Sequence, residues 1–524
     1  MATSGSPHHF KLNAERKYIL HFSDNHLNYT RLSESNSPKA GEKRYLTTGD
    51  NDDSKSTEHY SLRNHHEMVD IVYGKDSPIE LINTALVYAK TIFKERPPNI
   101  FLFTGDSSSH DPPLQPKEGE EKAAENWTPI EKVVERVTIN IDIMYKEFPD
   151  VLSISTLLGN TDTSPGYYCS IPNEEGGEIE QIKEIAGAWK KKLSKGHLDQ
   201  FKKKGYDIYK VDDNFVVITL NTAVWSYHHK ETKFGTIGDP LGQFEWLRKQ
   251  LEMIRNKNKI NVLICGHIPP AVGTHGAEVQ WLAPFMKEYL SIIREYKNII
   301  KAQLFGHLHV SEVRISMDED LPPLFITTAI SPKYFNNPAF IVWEYDPRTY
   351  ELTDFFLHGS DINDKKVKFE PLFQATESYH LKDLSLRSLR EMVRRMKRDD
   401  ILVKNYYWNS KARAPKLKDY CTDVKCRAQV ICGTQWFITK EKYEECLGRN
   451  GYQKPAPSKQ SMRLLLPSTQ TKNNQNSEYS ILWALTSVLL AVILLGMTSF
   501  GLRRFFGTKA PSTRFAKGKK MGKM

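Results

Sequence analysis

The sequence of 524 residues contains no C-x-x-C pair, no internal repeat and no basic stripe interleaved with aromatic residues. The first absence argues against the common zinc modules. The second excludes solenoids and propellers. The third makes nucleic-acid binding a poor reading, despite a formal net charge of +10. That charge is concentrated at one end. Residues 503–524 carry Arg503, Arg504, Lys509, Arg514, Lys517, Lys519, Lys520 and Lys523 and no acid, which leaves about +2 for the rest of the chain. The first twenty residues also lack an apolar stretch of signal-peptide length. What remains is ordinary for a globular protein, with 39% hydrophobic and 26% charged residues. The length leaves room for two or three domains.

One long apolar run interrupts this composition. Ile481 to Leu502 carries no charge and matches the ~20 residues that span a bilayer. Polar residues precede it and the basic tail follows, which suits a membrane span better than a buried core helix. A removable GPI signal would end in the apolar tail. The positive-inside rule puts the tail in the cytosol and the body on the lumenal or extracellular side, in an endolysosomal, vacuolar or cell-surface location. The missing leader leaves two options: an N-terminus beyond this chain, or a tail-anchored protein with a cytosolic body. Four of the six cysteines, Cys421, Cys426, Cys432 and Cys446, lie close together. They read as disulfides in an oxidising compartment rather than as a zinc site. Sequons at Asn28 and Asn126 are compatible with a secretory route and a glycoprotein.

Short apolar runs recur at 18–24, 99–106, 151–160, 214–222, 260–267, 301–309, 323–330 and 340–346. Their β-branched and aromatic content predicts buried strands. Helical patterns lie between them. The clearest starts at Ser77 as N-cap, with Pro78 at the first position and Glu80 three residues after the cap. Others cover 240–257 and 281–296. The alternation predicts an α/β fold with packed sheets. From Leu381 the pattern turns helical. Residues 32–60 and 112–126 read as polar surface insertions, and 453–478 as a flexible stalk.

Five predicted strands end in metal-ligand residue types. They give Asp24 and His26, then Asp106, Asn160, His267, and finally His307 with His309. Side chains at i and i+2 of an extended segment project the same way, so Asp24 and His26 can reach one ion. Strand carboxyl ends converge on one crevice in α/β folds. Seven ligands are too many for one tetrahedral ion and fit two metals that share a carboxylate.

This set resembles the calcineurin-like metallophosphoesterase superfamily. More narrowly, "HFSDNHLN", "FTGDSSSH", "LNTAVWSY", "GHIPP", "GHLH" and "NNPAFIVWEYDPRTYEL" resemble the acid sphingomyelinase-like phosphodiesterases, with the endopolyphosphatases as relatives. The resemblance covers roughly residues 16–450. It implies a metallophosphoesterase fold of mixed, packed sheets flanked by helices, with a small helical C-terminal subdomain. It implies one metal on Asp24, His26, Asp106 and His309, and a second on Asp106, Asn160, His267 and His307. It also implies zinc at both sites, and a two-metal-activated hydroxide attacking phosphorus in line. "YCTDVKCRAQVIC" and the later Cys446 resemble the family's disulfide-bearing tail, which implies Cys421–Cys426 and Cys432–Cys446 pairs. The resulting organisation is a lead at 1–15, a catalytic domain at 16–380, a disulfide subdomain at 381–452, a stalk at 453–478, a transmembrane helix at 479–502 and a cytosolic tail at 503–524.

Many superfamily members have His directly after the Asn ligand. This chain has Thr161, which can offer a hydrogen bond to a phosphoryl oxygen but no proton. The resemblance points to His110 as phosphate ligand and general acid. His275 is expected on the substrate cleft or on an exposed loop, and Asn221 and Thr222 behind the site. The functional expectation is a membrane-anchored hydrolase of phosphodiester or pyrophosphate bonds in nucleotides or lipid head groups. No lipid-loading domain fits before Asp24. The alternatives are an endopolyphosphatase and a non-catalytic receptor or scaffold on the same fold.

Overall fold

The structure, a computed structural model, describes residues 11–28, 71–111, 127–168, 178–229, 238–257, 260–363 and 367–452. The chain divides into Met1–Lys454 and Pro455–Met524, and all described residues belong to the first unit. Twelve strands are present among them. They are β1 (Lys17–Phe22), β2 (Ile100–Phe103), β3 (Ser153–Ile154), β4 (Asp207–Asp212), β5 (Phe215–Thr219), β6 (Asn261–Cys265), β7 (Ile300–Phe305), β8 (Glu312–Arg314), β9 (Leu324–Ile326), β10 (Ala339–Tyr345), β11 (Leu352–Gly359) and β12 (Glu370–Gln374). Every predicted strand is among these, although only Ser153–Ile154 of the third run joins a ladder.

The strands form two six-stranded sheets, ordered β12-β11-β10-β1-β2-β3 and β4-β5-β6-β7-β9-β8. Both are mixed. β1, β2 and β3 run parallel in the first, and β5, β6, β7 and β9 in the second. The pleat sorts the side chains. Ile19, Leu102, Leu263, Leu304, Ile341 and Trp343 share one apolar cluster drawn from both sheets. Leu20, Phe103, Ile218 and Ile264 point the other way, into a cluster with the helices. Strands buried on both faces read as continuous apolar runs, which is why the sequence shows them.

The helices over the outer faces include α1 (Ile79–Ile92), α2 (Ile130–Glu147), α3 (Glu180–Ile185), α4 (Lys195–Lys204), α5 (Gln243–Asn256) and α6 (Ala283–Tyr296). α1 begins one residue later than predicted, with Pro78 at the cap and no side-chain cap hydrogen bond. Ser77 is instead held by its backbone. Its N–H donates to His26 O, and its carbonyl accepts from Asn28 N. That pairing draws the start of α1 against the loop after β1.

Five helices follow: α7 (Ala375–Ser378), α8 (Leu386–Met396), α9 (Asp400–Ser410), α10 (Val424–Gly433) and α11 (Lys440–Arg449). Ser385, Asp399, Asp423 and Thr439 cap the last four with their side chains. Disulfides join Cys421 to Cys426 and Cys432 to Cys446. Cys265 is free and buried on β6.

The expected fold is corrected on one point. No helix among the described residues is long and apolar enough to cross a membrane. α2 is the longest, at 18 residues, and charges recur along it from Glu131 to Glu147. The expected span at 479–502 lies outside the described residues, as do the stalk, the basic tail, both polar insertions and the Asn126 sequon. The single-pass placement and the membrane anchor are therefore not carried further.

The disulfides differ in the loop they close, with separations of 14 and 5 residues. Removing Cys432–Cys446 is expected to cost about 3 kcal/mol, and removing Cys421–Cys426 about 2 kcal/mol. Denaturant midpoints of the two double-serine variants check the order.

Candidate metal centre

The carboxyl ends of β1, β2 and β3 present Asp24, His26, Asp106 and Asn160. Those of β6 and β7 present His267, His307 and His309. The seven residues thus come from both sheets and meet at the carboxyl ends of these strands. Asp106 Oδ2 lies 3.3 Å from His26 Nε2 and 3.1 Å from His267 Nε2. Asp24 Oδ1 lies 3.3 Å from His309 Nε2. Asn160 Oδ1 is 3.1 Å from His267 Nε2. Asp24, His26 and Asp106 form one potential ligand group, and Asp106, His267 and His307 another, so Asp106 belongs to both.

The loops that carry these residues are unusual in backbone and packing. Asp24, His26, Asp106, His307 and His309 have φ of 51, 42, 59, 75 and 54°. This left-handed region disfavours residues with a Cβ, and clusters of such residues mark functional sites. The glycines before the ligands answer a second constraint. A Cβ on Gly159 would fall 2.0 Å from Asp106 Oδ1, and one on Gly306 would fall 2.2 Å from Ser23 Oγ.

Hydrogen bonds fix the imidazoles. His26 Nδ1 donates to Ser108 O at 3.0 Å, and His267 Nδ1 donates to Thr104 O at 2.8 Å. Both turn Nε2 toward Asp106. His307 Nε2 donates to Gln280 Oε1 at 3.1 Å, which leaves Nδ1 for the cluster. The Nε2 atoms of His26 and His309 approach to 3.0 Å, and His309 Nδ1 is buried without a hydrogen-bond partner. Facing imidazole nitrogens beside two carboxylates are the donor set of a bound cation, so the residues fit a metal.

The charges tell the same story. Burial would raise Asp106, but His267 and His26 hold it well below the usual carboxylate range. Burial opposes protonation of His26 and His267, yet Asp106 and Asp24 push both up to about 9. Burial and the charge of His267 push His307 down to about 3. Two buried carboxylates thus draw positive charge into the space between these rings.

A directional chain of buried polar groups supports Asp24. Trp343 Nε1 donates to His21 Nδ1 at 3.1 Å, and His21 Nε2 donates to Thr104 Oγ1 at 3.0 Å. Thr104 then donates to Ser23 Oγ at 2.7 Å, and Ser23 donates to Asp24 Oδ2. Burial pushes His21 down to about 3, so the ring stays neutral and the direction is fixed. Asp24 in turn accepts the amide of His307, at 3.1 and 3.0 Å to its two oxygens, across the gap between the sheets.

Thr161 has a different place from the one expected. Its amide and hydroxyl reach Asp106 Oδ1 at 2.9 and 3.0 Å, and the hydroxyl lies 2.7 Å from Ser108 O. It is buried and holds the shared carboxylate rather than facing a phosphate. His110 lies at the rim. Its ring stacks on His26 with centroids 3.9 Å apart, and Nδ1 donates to Asp76 Oδ1 at 2.8 Å. The Tyr334 hydroxyl is 3.4 Å from His110 Nε2. His275 is exposed on a separate cavity of about 1050 Å³, lined also by Tyr227, Glu278 and Lys440. Thr222 accepts the amide of Ile268 next to His267, and the Asn221 backbone is paired with Gln243.

Three supporting residues have no counterpart among the sequence expectations. Asp76 orients His110. Gln280 orients His307. Asp162 accepts four backbone N–H groups, from Asp106, Ser107, Ser108 and Gly159, at 2.7 to 3.0 Å. Its position two residues after Asn160 is the one signal the sequence offers for it.

The family model for calcineurin-like phosphoesterase matches residues 17–311, more than half of the chain. The chain belongs to the calcineurin-like phosphoesterase family and is a phosphoesterase hydrolase. A second model, acid sphingomyelin phosphodiesterase C-terminal region, matches residues 321–453. The chain is 29% identical to acid sphingomyelinase-like phosphodiesterase 3b of Homo sapiens, over 72% of this chain and 82% of that one. It is 27% identical to sphingomyelinase phosphodiesterase D of Dictyostelium discoideum, over 59% and 68%. It is 28% identical to cyclic GMP-AMP phosphodiesterase SMPDL3A of Bos taurus, over 61% and 69%. Family members use a dimetal centre, and the His and Asp groups here are of that kind.

Asp162→Asn keeps the volume but replaces one accepting oxygen with a donor that faces backbone N–H groups. Each such loss costs about 1.5–3 kcal/mol. The variant is expected to unfold at least about 2 kcal/mol more easily and to bind metal more weakly. Denaturant titration and metal analysis measure both.

Proposed function

We propose that this chain is a two-metal phosphodiesterase acting on phosphodiester or pyrophosphate bonds of nucleotide-type substrates. The observation that carries the reading is Asp106 Oδ2 lying between His26 Nε2 and His267 Nε2, at 3.3 and 3.1 Å. Asp106 would then help to hold both ions. Asp24, His26, Asp106 and His309 would hold one ion, and Asp106, Asn160, His267 and His307 the other. The nitrogen-rich set suits zinc. When bound, such a pair supplies an activated water and positive charge for the phosphoryl oxygens.

The chain's own groups do the rest. Thr161 and Asp162 hold Asp106 in place. Burial and the charge of His26 push His110 down while Asp76 opposes them and fixes the ring through Nδ1, so Nε2 at the rim would be the atom that hands a proton to a leaving oxygen. A nucleotide is favoured by the aromatic surroundings and by the nucleotide activity in the names of the SMPDL3A relatives. Tyr334 is 51% exposed and stands edge-on to His309 at 4.8 Å, while Tyr167 stands edge-on to His307 at 6.0 Å. Rings on two sides of the centre offer faces to planar bases.

Dialysis against a chelator is expected to abolish hydrolysis of a dinucleotide, and zinc to restore it; a chain equally active without ions overturns the reading. Asp106→Asn is expected to remove all activity. His110→Ala is expected to cost ~10²–10⁴-fold on esters with a ribose leaving group, and far less when nitrophenolate or phosphate departs. Asp76→Asn should follow the same pattern with a smaller loss. Equal losses across a leaving-group series would remove His110 as the acid.

A further inference from the structure

Among the seven candidate ligands, His307 is held in an unusual way. His26 and His267 donate their second nitrogen to backbone carbonyls of the first sheet's own loops. His307 donates to a side chain, Gln280 Oε1, at 3.1 Å. Gln280 is 4% exposed and belongs to the loop between β6 and α6. Its amide donates to Ala271 O at 3.1 Å, and its side-chain Nε2 donates to Glu278 O at 3.3 Å. The loop doubles back on itself, with Val272 bridged to Val279 and Gly273 N donating to Glu278 O at 2.8 Å.

The loop's other side is held by the C-terminal region. Val272 N donates to Phe437 O at 3.2 Å, and Trp436 Nε1 donates to Pro270 O at 2.7 Å. The Tyr443 hydroxyl donates to Thr274 O at 2.6 Å. Thr274 packs so closely on α10 that a Cβ on Gly433 would fall 2.5 Å from its Oγ1. Val272 and Ala277 share a small apolar cluster with Ala428, Tyr443, Leu447 and the Cys432–Cys446 pair.

From these contacts we infer that Gln280 is a positioning residue for His307, and that the disulfide-linked α10–α11 pair sets the affinity of the second metal ion by holding Gln280's loop. The inference rests on the two-metal reading above. A carboxamide partner fixes both the tautomer and the rotation of the ring. Loss of such a partner typically costs about 10–100-fold in metal affinity. The first ion's ligands do not include His307, so the effect is confined to one ion.

The test uses the full chain and measures zinc stoichiometry and affinity by competition with a chromophoric chelator. The parent is expected to bind two ions. Gln280→Leu is expected to weaken one of them by about 10–100-fold and to leave the other unchanged. Gln280→Glu keeps an acceptor for His307 Nε2 and is expected to restore the parent pattern. Cys432→Ser with Cys446→Ser is expected to weaken the same ion, measured below its melting midpoint. Should that double variant fail to fold, the two Gln280 variants decide alone. Parent-like affinity for both ions in Gln280→Leu overturns the inference, as does equal weakening of both. A parent chain that binds no ion overturns the two-metal reading and this inference with it. A parent with two ions and an indifferent Gln280 overturns this inference alone.

Discussion

No side chain fits between the ends of β2 and β3, and the metal centre depends on that closeness. Gly105 and Gly159 let the two backbones meet, and Asp106 Oδ1 occupies the space a Cβ would need. The carboxylate is thereby pinned on one oxygen by Thr161 and left open on the other toward His26 and His267. Asp162 completes the turn from beneath by gathering backbone N–H groups. These contacts leave Asp106 little freedom to rotate. A charged group so constrained can be shared by two ions because it has no alternative position to relax into.

Burial makes the arrangement demanding. Asp24 and Asp106 are both nearly inaccessible to water. Isolated carboxylates at such depth are costly unless paired. Here they are paired with imidazoles from the opposite sheet and with backbone amides, including that of His307. The left-handed backbone at five ligands adds a further cost that the surrounding sandwich must cover.

The seven candidate ligands could be picked out in the sequence because metal chemistry restricts residue type and strand ends restrict position. The same holds for the eight strands buried on both faces. β4, β8, β11 and β12 were not legible, and for β8 and β12 the reason is concrete. β8 carries Glu312 and Arg314, whose charges are satisfied by each other and by Thr274 inside the fold. β12 contains Pro371 and lies at a sheet edge. Asp76, Asp162 and Gln280 act by hydrogen bonds to rings or backbone. No spacing rule marks such residues, because many positions in a folded chain could supply the same oxygen. The sequence singles out Thr161, but its partner is visible only once Asp106 has a position. The apolar run at 481–502 shows the limit from the other side, since hydropathy and flanking charge carry that expectation and no helix among the described residues can cross a membrane.

The division of the ligands between the two sheets has a mechanical consequence. Asp24, His26, Asp106 and Asn160 ride on one sheet, and His267, His307 and His309 on the other. A slide of one sheet over its neighbour leaves each ladder intact but pulls carboxylates away from imidazoles. The candidate centre therefore sits across the seam of the sandwich at its strand ends, and the spacing of its carboxylates from the opposite imidazoles follows the alignment of two layers that share one apolar core.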